Sequence, residues 1–158
     1  MGKLLDESGI NHVLYCTKFH IMQSHSELTD NEFEIQFQSA AFPPSLFTHE
    51  AHLRLAWIHI KKYGCETAIE NITKQLMNFV EAIGASGKYN HTLTIAAVKA
   101  VNHFINKSGS SSFADFIQEF PRLNSNFKDL MAFHYSVDIY NSETARQQFV
   151  EPDLVPFS

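Results

Sequence analysis

The sequence predicts an all-α fold, a single-domain bundle of about six to seven helices with short loops and antiparallel neighbours. Three observations carry this. Apolar residues recur at three- and four-residue spacing from residue 29 onward, the mark of helices with one buried face. The periodic runs begin at capping residues and end near glycine or proline. No run after residue 29 alternates convincingly with the two-residue period of a strand. A chain of 158 residues suits one domain and buries about 70% of its unfolded surface without disulfide or metal staples.

Residues 1–28 read as an N-terminal extension. They are polar as far as Ser8, mixed β-branched and aromatic from Ile10 to Met22, and linker-like over Gln23-Ser-His-Ser-Glu27. Met22 would serve as an alternative start, and residues 1–22 would be removable without loss of the helical fold; a packed N-terminal strand is the competing reading. The helical domain, residues 29–158, opens at the capping box Thr29-Asp-Asn-Glu32. Its first helix is expected over 30–40, with Phe33 and Phe37 on one face, and Pro43-Pro44 stops it. The second runs over 49–63, from an N-cap at Thr48 to Gly64 at the C′ position. The third covers 66–83 with the stripe Ile69, Ile72, Leu76, Phe79, Val80 and Ile83, and Gly84 ends it. After the loop 85–89 comes a fourth over 90–106. A fifth opens at the cap Ser112 and ends near Pro121, a sixth covers 126–134, and a short last helix begins near Ser142 and stops before Pro152.

Composition narrows the function classes. A net charge of −5 argues against nucleic acid as a partner, because a phosphate backbone needs a basic face. No run approaches the length of a membrane span. The early acids Asp6 and Glu7 interrupt any signal core, and Cys16 and Cys65 form no C-x-x-C pair, so the chain reads as cytoplasmic with reduced thiols. Nucleotide and serine-hydrolase motifs (P-loop, G-x-G-x-x-G, G-x-S-x-G) are absent. The unusual figure is 9 His.

On the helix over 49–63, at about 100° per residue, Leu53, Ala56, Ile60 and Tyr63 fall within about 40° of His49, Trp57 near 80°, and His52 near −60°. Glu50, Arg54, Lys61 and Lys62 take the other side. His49 and His52 therefore share the apolar face in the first turn, where unpaired N–H groups and the helix dipole disfavour imidazolium. Neutral imidazole can ligate a metal, act as acid or base, or hydrogen-bond a ligand. His-x-x-His is a weak motif, and it lacks the spacing of the zincin H-E-x-x-H. On the helix over 90–106, Asn90 and Thr94 are polar residues on an apolar stripe; capping and backbone bonding are the bland account of both.

Topology joins the two helices. With consecutive antiparallel helices, the N-termini of the second and fourth lie at the same end of the bundle. His49 and His52 would then stand near Tyr89, Asn90 and Thr94, with Lys88 and His91 at the rim and Trp57 and Leu93 as an apolar floor. Tyr89 and Asn90 would orient a polar ligand, and Arg54 would pair with an anion if it turns inward. His134, in the run His134-Tyr135-Ser136, is a further candidate or simply a C-terminal helix histidine. A structural zinc needs four ligands, and this end offers only His49 and His52 clearly. No metal or other cofactor is favoured, and a divalent metal is optional.

The segments Phe47-Thr-His49-Glu-Ala-His52-Leu-Arg54-Leu-Ala-Trp57, Gly87-Lys-Tyr89-Asn90-His-Thr92-Leu-Thr94, His134-Tyr-Ser136 and Phe149-Val-Glu-Pro152-Asp153 resemble those of a group of small, uncharacterised bacterial all-helical proteins. The resemblance covers residues 29–158. It implies the fold and the choice of residues but no reaction. The group carries His where this chain has Asn90, which leaves a three-His metal set at that end one ligand short. Two readings follow: a small protein with a histidine-containing pocket for a small polar or anionic ligand, an enzyme or a binder, or a non-enzymatic interaction module whose histidines are structural. Oligomeric state is not legible.

Overall fold

A computed structural model describes residues 20–158, which contain helices and no strand. Eight α-helices follow in order: α1 Asp30–Gln38, α2 His49–Tyr63, α3 Cys65–Ala82, α4 His91–Ile105, α5 Phe113–Glu119, α6 Arg122–Ser125, α7 Phe127–Ala132 and α8 Glu143–Gln147. Three-residue 3-10 turns occupy His25–Glu27, Pro44–Leu46 and Ser86–Lys88.

The local causes are those of a capped helical chain. Thr29, Thr48, Asn90, Ser112 and Ser142 each accept a backbone N–H of the following first turn through the side chain, which satisfies donors that the helix itself leaves free. Gly64 ends α2 and begins α3 as a single joint at φ +84 and ψ 166, a conformation essentially restricted to glycine. α1 stops before the prolines are reached. Ala40 turns left-handed at φ 54, and the amides of Ala41 and Phe42 bond back to the Gln36 carbonyl. Pro121 ends the run from Ser112 but then stands at the N-cap of α6. That extra turn is one the sequence reading does not contain; proline is tolerated at a helix start because its missing N–H has no partner there anyway.

α2, α3 and α4 pack against one another as the centre of the fold, with α1 across α2 and α3, α5 and α6 against α2, and α8 against α4. The core is largely aromatic. Phe37 stacks on Phe79 with ring centres 4.9 Å apart, and Phe33 meets Phe42 edge-on at 4.8 Å. These geometries follow the ring quadrupole and add to the burial of large side chains.

Two expectations are corrected here. First, α2 is not one-sided. Every residue from Leu53 to Ile60 is buried, because neighbours cover it on all sides. Arg54 therefore does not face solvent; α1 and the chain before it close over it. Second, the segment before residue 29 is no linker. Ser24 and Glu27 form a capping box around the turn His25–Glu27. His25 is buried near Phe33 and Phe113, and Met22 and Leu28 pack on the core. The boundary at residue 29 thus falls inside the packed unit. Residues 1–19, including Cys16 and most of the segment read as removable, lie outside the described residues.

Candidate functional site

The antiparallel order of α2, α3 and α4 leaves a cavity of about 550 Å³ between them. It is bounded by the first two turns of α2, the last three of α3 and the first two or so of α4, with Pro44, Phe47, Phe127 and Tyr140 closing the sides. Toward the middle of the helices the wall is apolar: Ala56 from α2, Ile72 and Leu76 from α3, Ala97 and Val98 from α4. The polar side chains on its wall are His49, His52, Lys88, Tyr89, Asn90, Thr94 and Tyr140. A volume of this size with a few polar groups fits the general form of a small-molecule site.

His49 and His52 are set by the start of α2. Nε2–H of His49 donates to the Leu123 carbonyl at 2.9 Å, and the ring packs on Phe127 at 5.0 Å. Nδ1–H of His52 donates to the Thr48 carbonyl at 2.8 Å, and the ring stacks on Phe47 at 3.7 Å. Each tautomer is assigned from its carbonyl partner, which can only accept. Solvent reaches both rings, yet the protein around His52 strips much of its hydration. Burial lowers that imidazole to about 4; His49 lowers it further, and the Thr48 carbonyl opposes the shift.

Tyr89 places its hydroxyl 2.8 Å from Nδ1 of His91, and burial pushes its phenol upward. Asn90 lines the cavity, but both ends of its amide are engaged: Oδ1 accepts from the Leu93 amide at 2.9 Å and Nδ2 donates to the Ile139 carbonyl at 2.8 Å. Thr94 donates its hydroxyl to the Asn90 carbonyl at 2.7 Å. The bland account of these two residues, capping and backbone bonding, is therefore the geometric one. Lys88 stands exposed on the wall.

Three expected site residues stand elsewhere. Arg54 is buried and turned away from the cavity: it donates to the Leu28 carbonyl at 2.7 Å, to Asp30 Oδ1 at 2.8 Å and to the His25 carbonyl. Trp57 points to α5, edge-on to Phe113 at 6.2 Å; at 80° round the helix from His49 it falls on the flank covered by α5 rather than on the cavity floor. His134 donates Nδ1–H to the Val155 carbonyl at 2.6 Å and stacks on Phe157 at 4.1 Å. It lines a separate cavity of about 150 Å³ with His103 and Phe133, because α7 ends at the tail and not at the α2/α4 end.

Among the described residues no group of three or more His, Cys, Asp or Glu is gathered around one point as a metal site. No helix among them is long and apolar enough to cross a membrane. The α3 wall was legible only as a core stripe; Phe127 and Tyr140 carried no signal, being far along the chain from either histidine. A third α2 histidine, His59, is fully buried with no hydrogen-bond partner on either nitrogen and does not line the cavity. No family model, no curated protein and no solved structure matches this chain.

Proposed function

We propose that this protein binds a small, mostly apolar molecule in the cavity between α2, α3 and α4, with the polar end of the ligand held beside His49, His52 and Tyr89. One observation carries the reading: a largely apolar chamber of about 550 Å³ with His49 and His52 of the first turn of α2 on its wall. For His52, binding is favoured over acid–base catalysis. A general base works best with a pKa near the working pH, and His52 at about 4 is a hydrogen-bond acceptor rather than a proton carrier at neutrality. The reading keeps the cytoplasmic setting that the sequence suggests and involves no metal.

The test uses N-phenyl-1-naphthylamine, whose fluorescence rises in an apolar site. Saturable enhancement is expected with the whole chain. Ala97→Phe places a ring in the cavity and should abolish the enhancement while the helical circular dichroism is retained. Equal enhancement by the folded variant and the parent would put the dye elsewhere and end this reading.

A further inference from the structure

The polar groups of the cavity differ in what they have left to offer. Asn90 and Thr94 each spend a donor on a backbone carbonyl of the fold, Asn90 Oδ1 caps α4, and the Tyr89 hydroxyl is paired with His91. His49 and His52 each use one ring nitrogen as a donor to a carbonyl. In the neutral ring the other nitrogen, Nδ1 of His49 and Nε2 of His52, carries a lone pair. No described side chain or backbone group bonds either of these two nitrogens. The stack on Phe47 and the bond to Thr48 hold the His52 ring from two directions, so the direction of its acceptor is preset.

Two preset acceptors recognise a hydrogen-bond donor. An ether of the same shape offers them none, and a carboxylate brings lone pairs against lone pairs. Two other groups compete on the same wall: the Tyr140 hydroxyl, which no described group bonds and which can donate as well as accept, and Lys88, an exposed cation, which would draw a carboxylate. Lys88 sits on a flexible stem in water, where a charge pair is weak, while the imidazoles are fixed.

We infer that this end of the cavity selects a neutral hydroxyl compound on an apolar body, such as an alkylphenol or a long-chain alcohol, through the unprotonated nitrogens of His49 and His52. The inference rests on the binding reading above. Burial, which keeps the His52 imidazole unprotonated, leaves its acceptor available over a wide pH range.

The experiment displaces N-phenyl-1-naphthylamine at pH 8 with 4-butylphenol, 4-butylanisole and 4-butylbenzoate. The phenol should bind about tenfold more tightly than the anisole, the upper end of the net effect of one hydrogen bond. His52→Phe should shrink that ratio several-fold, because the phenol loses an acceptor and the anisole had no hydrogen bond to lose. A second readout needs no variant: the ¹⁵N signal of His52 Nε2 should have the unprotonated form and should shift on adding phenol but not anisole. Equal affinities of phenol and anisole, an unmoved Nε2 signal, or tightest binding by the benzoate would each overturn the inference. The last outcome would move recognition to Lys88. Failure of the phenol to displace a dye that Ala97→Phe does exclude overturns the inference alone; a dye indifferent to Ala97→Phe takes the binding reading down with it.

Discussion

α2 carries two polar clusters of opposite character. On one flank Arg54 is buried with its guanidinium divided among the His25 and Leu28 carbonyls and Asp30, above the Phe33 ring at 5.3 Å. On the other, His49 and His52 hold one bond each to the fold and keep one nitrogen open. A buried group with all its donors engaged is a structural tie, because removing it strands its partners. A preset group with capacity left over contributes little to stability and is available to a ligand. Arg54 is a buried charge, yet it has no donor left unused.

Four substitutions test that contrast. Phe33→Ala should have the largest effect. The ring is fully buried beneath Arg54 and beside Phe42, and its loss should lower unfolding free energy by about 3–5 kcal/mol in a urea titration. Arg54→Met keeps the aliphatic stem but leaves two carbonyls without their donor, for a loss of about 2–4 kcal/mol; it should also expose residues 20–28 to protease. A loss below about 1 kcal/mol would break the contrast, since Arg54 would then tie nothing. Asn90→Ala removes the α4 cap and the bond to Ile139, which should cost about 1–2 kcal/mol. That result would place Asn90 with Arg54 as a tie despite its place on the cavity wall.

His52→Phe is the smallest. At pH 7 stability should change by less than about 1 kcal/mol, because only the bond to Thr48 is lost and the stack on Phe47 can be kept. Its signature lies in acid. His52 falls from 6.5 to about 4 on folding, so between those values the unfolded chain binds the proton and the folded one does not. Stability therefore declines as pH falls from about 6.5 towards 4. His25 and His59, also lowered by burial, act in the same direction. The variant should show a flatter decline over that window in thermal melts at stepped pH. An unchanged slope would mean that His52 is no less basic folded than unfolded.

Much of the fold was legible because helix ends are written locally. Thr48, Asn90 and Ser112 cap as their neighbours imply, and Gly64 breaks α2 from α3. The gathering of His49, His52, Tyr89, Asn90 and Thr94 around one cavity was legible too, since it follows from chain order and antiparallel packing. Arg54 and Trp57 were misplaced for one reason: periodicity assigns faces only when one side is wet, and it cannot tell that α1, α3, α4, α5 and α6 surround α2. His134 depended on where a late, short helix ends, which no local pattern states. The docked turn at His25–Glu27 did leave a trace. Ser24-His-Ser-Glu27 has the S-x-x-E form of a capping box, hidden by its resemblance to a polar linker.

The single-residue joint at Gly64 has a mechanical consequence. It lies at the end of α2 and α3 away from the cavity, with the 15-residue helix α2 running from it back to His49. At 1.5 Å of rise per residue this is a lever of about 22 Å. A tilt of about 5° at the joint therefore moves the His49 end by about 2 Å, more than a methyl group's width. A side chain at residue 64 would be strained at this positive φ, so a substitution there would act on the cavity wall from the far end of α2.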